Sequence, residues 1–225
     1  KTGRPLVSLK LAQTLDGRIA TLNGDSQWVS GEAARTLVHE WRAQLDAVLV
    51  GYGTALSDNP SLTVRHVAGR HPYRVVLDRA GKLPLHLNLF SDEFVGKTIA
   101  VVSTSAKPVY ANQLTEAGGQ LLRLPEKDGH LDLTEVLTEL GKSTDSRKGF
   151  QSVLVEAGPS LATAFFEQDL VDQLNLFIAP KLIGQGLPTL NGLSIEKMSQ
   201  AKTFAKTTWT QVGEDMLFRG LKESR

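Results

Sequence analysis

The chain has 225 residues, 41% of them hydrophobic and 22% charged, with a net charge of +1. This is the make-up of a globular protein with a sizeable core, and it excludes the strongly basic field of a nucleic-acid or membrane-surface binder. No run approaches the roughly 20 apolar residues of a membrane span, and no signal-peptide pattern opens the sequence, so a cytoplasmic protein is expected. There are no cysteines, and none of the five histidines is paired at metal-ligand spacing, so no metal centre is expected.

Residues 6–13 read as a strand, and 31–45 as an amphipathic helix with Ala34, Leu37, Val38, Trp41 and Leu45 on one face and Ser30 as its N-cap. "DAVLVG" (46–51) is a short apolar run closed by glycine, and "GYGTALSDNPSLTVR" (51–65) reads as the ligand loop that follows such a strand. "YRVVLD" (73–78) and "TIAVVST" (98–104) are two more apolar runs. The stretch 112–119 ends a helix at its glycines, a strand follows at 120–125, another helix at 133–141, and a polar, mobile loop at 142–150. Then come a buried strand at 152–158, a helix at 159–170 with proline in its first turn, and a strand run at 173–184. A hairpin turning at Val212–Asp215 closes the chain. The alternation predicts one α/β domain, 1–225: a mainly parallel central sheet with an antiparallel C-terminal strand pair, flanked by helices.

Three stretches carry candidate chemistry. Along the first strand Val7, Leu9 and Leu11 share one face, while Ser8, Lys10, Ala12 and Thr14 share the other, where small neighbours leave room for a ligand around one cation. An edge strand with a solvated lysine reads equally well from the residues alone. Ser26 and Trp28 precede the first helix as hydroxyl and aromatic contacts for a polar ligand, and Arg35, His39 and Arg42 line its other face, where helix spacing favours a solvated basic surface. In the 51–65 loop Asp58 suits either a turn or a sugar hydroxyl, and Arg65 a phosphate. "VLVEAGPSLATAF" (153–165) is the strongest local signal, since a buried strand ends on Glu156 and Gly158-Pro159 opens a helix whose N-terminus suits a pyrophosphate. No G-x-S-x-G, Walker A or G-x-G-x-x-G pattern is present, which disfavours the common hydrolases, P-loop NTPases and dinucleotide-fold dehydrogenases.

In this order, "RPLVSLKLAQTLDGRIA", "GDSQWVSGEAAR", "HEWRAQLDAVLVGYGTALSDNPSLTVR", "VLVEAGPSLATAF" and "LVDQLNLFIAPKLIGQG" resemble the pyrimidine reductases of riboflavin biosynthesis. Those reductases usually form the C-terminal half of a bifunctional deaminase-reductase. The resemblance implies a dihydrofolate-reductase-like fold, NADPH as hydride donor, and reduction of the ribosyl group of 5-amino-6-(5-phosphoribosylamino)uracil to ribityl. It places Ala12, Trp28, Thr54, Asp58 and the turn of Gly158, Pro159, Ser160, Leu161, Ala162, Thr163 and Ala164 at the cofactor. Ser26, Arg42, Leu62, Arg65 and Glu156 fall at the substrate. Position 79, serine in a relative, is Arg79 here, and a guanidinium suits the cofactor's 2′-phosphate.

Lys10, Asp58 and Glu156 are the ionisable residues expected to move protons during ring opening and imine formation. The zinc-binding H-x-E and C-x-x-C elements of a deaminase are missing, so reduction without deamination is expected. The chain is read as either the excised C-terminal domain of a longer protein with an N-terminal deaminase domain or a stand-alone reductase, and its start at Lys1 without methionine favours excision. A homodimer is expected through Leu176, Phe177 and Ile178, read as an exposed strand that needs covering. The alternatives are reduction of the undeaminated or another pyrimidine or pterin, or a catalytically silent NADP-binding module. Arg42 and Arg65 together favour a phosphorylated substrate over a folate.

Overall fold

A computed structural model describes residues 3–144 and 147–223. In chain order the elements are β1 (Leu6–Thr14), β2 (Arg18–Thr21), α1 (Glu32–Gln44), β3 (Ala47–Gly51), α2 (Tyr52–Asp58), β4 (Tyr73–Leu77), α3 (Asn88–Ser91), β5 (Thr98–Ser103) and α4 (Pro108–Glu116). They continue with β6 (Gln120–Leu124), β7 (Glu126–Lys127), β8 (His130–Leu131), α5 (Leu133–Gly141), β9 (Ser152–Glu156), α6 (Pro159–Glu167), β10 (Gln173–Ala179), β11 (Gly186–Pro188), β12 (Phe204–Val212) and β13 (Asp215–Lys222). No helix among the described residues is long and apolar enough to cross a membrane.

The chain divides into two compact units. The first holds the N-terminal stretch to Leu6 with His39–Val155. Its strands run β9-β3-β4-β5-β6, every neighbouring pair parallel. Parallel strands are covered on both faces, so their sequences carry unbroken apolar runs. Ala47, Val48, Leu49 and Val50 of β3 and Val153, Leu154 and Val155 of β9 are all fully buried.

Arg74 brings a charge into this core. Only 1% exposed, it spends all five of its donors. Nη1 and Nη2 donate to the two Asp92 oxygens at 2.6 and 2.8 Å, Nε donates to Thr98 Oγ1, and the remaining two donors reach the carbonyls of Ser61 and Leu89, each at 3.0 Å.

The second unit holds Val7–Val38 and the chain from Glu156 onward. Here β1 and β10 are parallel, and β10, β13 and β12 follow antiparallel. The hairpin between β12 and β13 turns where expected, with Val212 opposite Asp215. The expected mainly parallel sheet with an antiparallel C-terminal pair is what the strands form.

Two local readings change. The segment after β3 is helical over Tyr52–Asp58: Gly51 enters it in an extended conformation, and Asn59 stops it in the left-handed region (φ 42°), which asparagine tolerates, just ahead of a proline. The helix that ends in the 112–119 stretch runs over Pro108–Glu116, with Pro108 in its first turn, and stops just before Gly118 and Gly119. Leu176, Phe177 and Ile178 lie on an interior strand, with Phe177 fully buried between β1 and β13. The exposed strand is β12, on which Trp209 is 59% exposed. The 142–150 segment, of which 145 and 146 lie outside the described residues, ends on a buried Phe150 under the Arg147 guanidinium.

Replacing Asp92 with Asn leaves a buried, charged Arg74 without its counter-ion. The expected loss is about 3 kcal/mol, read as a lower urea midpoint at unchanged slope. An unchanged midpoint would show that the pair contributes nothing to stability.

Candidate functional site

The face of β1 that carries Lys10 and Ala12 is flanked by two small polar groups whose bonds are internal. Ser8 is buried and its Oγ accepts from Asn175 Nδ2 at 2.8 Å; Thr14 is fully buried and its Oγ1 donates to Asp16 at 2.5 Å. Lys10 and Ala12 between them are half-exposed. Asn175 is the register partner of Lys10 on β10, 2% exposed, and sequence reading did not single it out. Its signal was present, since an asparagine inside the apolar run "QLNLFIA" has to find partners.

The Asp16-Gly17-Arg18 turn beyond β1 is a clamp. Gly17 takes φ 73°, a conformation that a side chain would strain. Asp16 accepts from the Ile183 and Gly184 amides, and Arg18 Nε donates to the Gly184 carbonyl. The Gly17 carbonyl accepts from Thr189 N and Oγ1. The hydroxyl of Thr14 and the Gly184 amide hold the Asp16 carboxyl below its ordinary value of 3.8.

In the same unit Trp28 is 61% exposed, and the Arg35 guanidinium lies over its ring at 4.5 Å, a cation–π pair. Lys181 Nζ donates to the carbonyls of Trp28 and Val29, which fixes the backbone beside half-exposed Ser26. Glu156 is half-exposed where β9 ends. Gly158 then starts α6 in extended geometry, and no side chain caps that start. The amides of a first helical turn have no intrahelical partner, so the arrangement fits a pyrophosphate. Ser160 is exposed, while Leu161 and Ala164 are half-exposed. Ala162 and Thr163 face inward, and Thr163 Oγ1 accepts from the Asn191 amide.

The other unit holds the remaining candidates. Thr54 is half-exposed on α2, and Asp58 is exposed at its end, accepting from Ser57 Oγ at 2.6 Å. The loop after it, 59–65, is anchored at four points. Its Ser61 carbonyl accepts from Arg74 and its Thr63 carbonyl from Arg42; its Val64 amide donates to His71 Nδ1 and its Arg65 amide to His39 Nδ1.

For His39 and Arg42 the reading of a solvated basic face is thereby overturned, while Arg35 stays half-exposed. His39 is 4% and Arg42 8% exposed, because the loop packs onto them and uses them as anchors. Leu62 (φ 52°) is buried, so its side chain belongs to the core. Arg65 is exposed on a backbone that its neighbours fix. Sequence reading missed His39, His71 and Arg74 as anchors, because their partners in the 59–65 loop are backbone atoms, which carry no residue-type signal.

Arg79 stands just beyond β4 and is half-exposed. Its Nη1 donates to Glu126 Oε2 at 2.8 Å. Ser105 Oγ donates to Glu126 Oε1 at 2.9 Å, and the Ser103 and Ser105 hydroxyls are 2.8 Å apart. Ser103, then Arg79 and Ser105, hold the Glu126 carboxyl down to about 2. A guanidinium and two hydroxyls thus gather around one carboxylate where three parallel strands end.

Comparison with known proteins gives a consistent answer. A profile of the RibD C-terminal domain matches residues 5–218. The riboflavin biosynthesis protein RibD of Aquifex aeolicus is 34% identical over 215 residues, covering 95% of this chain and 57% of that protein. RibD of Escherichia coli is 35% identical over 238 residues, with coverage of 96% and 59%. The solved structure of Acinetobacter baumannii RibD, form 1, superposes with a TM-score of 0.83 at 32% identity, over 99% of this chain and 59% of that one. This chain therefore spans less than two thirds of these relatives. The riboflavin biosynthesis reductase Rib7 of Saccharomyces cerevisiae, 22% identical with a TM-score of 0.76, shares the fold over 99% of this chain and 92% of its own.

The Asp16 clamp has a pH signature. Its lowered value means that the ionised carboxylate stabilises the folded chain above pH 3.8, and that this contribution is lost as pH falls through the lowered value. Asp16→Asn is expected to lower the melting temperature at pH 7, and its difference from wild type should shrink in acid. A constant difference across that range would refute the clamp's dependence on charge.

Proposed function

The chain belongs to the RibD C-terminal domain family, and on that footing we propose that it is an NADPH-dependent reductase. Its substrate is 5-amino-6-(5-phosphoribosylamino)uracil, whose ribosyl group it reduces to ribityl. The observation that carries this reading is the anchored 59–65 loop, which presents Arg65 on a backbone fixed by Arg74, Arg42, His71 and His39. A preorganised guanidinium is what a sugar phosphate requires.

Arg65 takes the phosphate, with Arg42 behind it. Ser26, Leu62 and Glu156 complete the substrate contacts, Leu62 through its backbone. Ala12, Trp28, Thr54, Asp58, Arg79 and the Gly158–Ala164 turn hold the cofactor, with the uncapped start of α6 toward the pyrophosphate. When bound, NADPH supplies the hydride.

The chain's own residues prepare the acceptor. Opening the ribose ring moves a proton to the ring oxygen and leaves an electrophilic imine at the anomeric carbon. Lys10, Asp58 and Glu156 are the groups proposed to hold or move protons there. Holding that carbon against the cofactor is the remaining contribution of the protein.

We further propose that the chain works as one reductase domain of a longer protein that also carries a deaminase. A homodimer forms over β12, whose outer edge has no strand beside it in the described chain and whose Trp209 is exposed.

Loss of reduced-nicotinamide absorbance with the deaminated pyrimidine, and no loss with its undeaminated precursor, is the expected result. NADPH binding without turnover on either would favour a silent binding module. Lys10→Ala is expected to lower kcat about a hundredfold, and turnover within a few-fold of wild type would remove Lys10 from the chemistry. Arg65→Ala should raise KM by about tenfold or more with little change in kcat; an unchanged KM would exclude Arg65 from the phosphate. Trp209→Glu is expected to shift the sedimentation mass from dimer to monomer, and a wild-type monomer would refute the β12 interface.

A further inference from the structure

The Arg79 cluster holds more than a cation. Three donors, the Arg79 guanidinium and the hydroxyls of Ser103 and Ser105, gather on or beside one carboxylate, that of Glu126. Arg79 stands beyond β4, Ser103 closes β5, and Ser105 and Glu126 lie in the segments that follow β5 and β6. The carboxylate comes from the short β7–β8 hairpin, outside the parallel strands. Guanidinium and hydroxyl donors on adjacent strand ends also suit the oxygens of a phosphate monoester.

Resting on the assignment of Arg79 to the cofactor, we propose that Glu126 is an internal anion set against the 2′-phosphate of the nicotinamide dinucleotide, and that it sets how strongly this chain prefers NADP(H) to NAD(H). Glu126 takes one Arg79 donor and the Ser105 hydroxyl, so a phosphate dianion at this cluster competes with the carboxylate for those two donors. With Glu126 in place the incoming charge meets a like charge at close range. If the Glu126 side chain turns out to solvent, its bonds to Arg79 and Ser105 are given up. Because its acidity leaves it ionised across the working pH range, protonation does not relieve the conflict. A ribose 2′-hydroxyl meets no such conflict, since a carboxylate accepts its hydrogen bond. The wild-type chain therefore binds the 2′-phosphorylated nucleotide less tightly than its donor set alone permits, and the carboxylate is the cause.

Calorimetric binding of adenosine 2′,5′-bisphosphate and of 5′-AMP to the purified 225-residue chain tests this without any turnover. Glu126→Gln keeps the shape of the side chain and removes its charge. It is expected to tighten adenosine 2′,5′-bisphosphate about tenfold and to leave 5′-AMP within twofold. Arg79→Ala should abolish the advantage of the bisphosphate over AMP. Should Glu126→Gln leave the bisphosphate unchanged or weaker, or tighten both probes equally, the proposed role of Glu126 is wrong while the cofactor assignment stands. If wild type binds neither probe nor NADP⁺, the cofactor assignment fails and takes this inference with it. Matching circular dichroism and melting curves identify folded variants, as expected for exchanges at part-exposed side chains.

Discussion

The shared direction of β9, β3, β4, β5 and β6 is the constraint on which the rest depends. Parallel strands place all their carboxyl ends along one edge, and each must be followed by a connection that leaves the sheet there. The interior of these strands is mostly apolar, and the polar groups it admits, such as Arg74, are fully paired, so other polar side chains gather where the runs stop. Gly51 closes β3 and α2 follows it, Arg79 follows β4, Ser103 closes β5, Glu126 follows β6 and Glu156 closes β9. Along this edge the polar groups therefore lie at strand ends and at the starts of the connections that follow.

Loops that begin at such an edge need to be held if they are to position a ligand, and here the holding is done from below by buried cations and imidazoles. Arg74 sits among apolar side chains with every donor used, and one of those donors fixes the Ser61 carbonyl. Arg42 and the Nδ1 atoms of His39 and His71 take the next backbone groups of the same loop. A buried guanidinium is costly unless it is fully paired, and the loop backbone supplies part of that pairing. Core stability and the placement of Arg65 thus share the same bonds. In the other unit Asp16 plays the corresponding part, tying the turn after β1 to the 183–184 backbone.

Much of this was legible in the linear sequence. The unbroken runs of β3, β4, β5 and β9 announced buried parallel strands, and Gly158-Pro159 after Glu156 announced a helix start with uncapped amides. The segments shared with the riboflavin reductases named the family before any geometry was available. The two-turn α2 escaped, because Gly51 and Gly53 read as loop residues while the packing of Ala55 against the strands decides for helix. The anchors His39 and His71 escaped as well, since nothing local in a histidine tells whether its Nδ1 will meet a distant amide.

What the sequence determined by itself is the order and type of most elements and the family, because apolar period, turn residues and shared motifs are properties of neighbours along the chain. What the tertiary structure decided is which polar residues face each other. Helical spacing made Arg42 look solvated, and the 59–65 loop buried it. Leu176–Ile178 looked like an exposed edge, and β13 covered it, leaving β12 outermost. Arg79 looked like a bare phosphate clamp, and a carboxylate 47 positions away now holds it. The physical reason is common to all three: a charge or an edge takes its character from its partner, and the partner is brought by the fold from far along the chain.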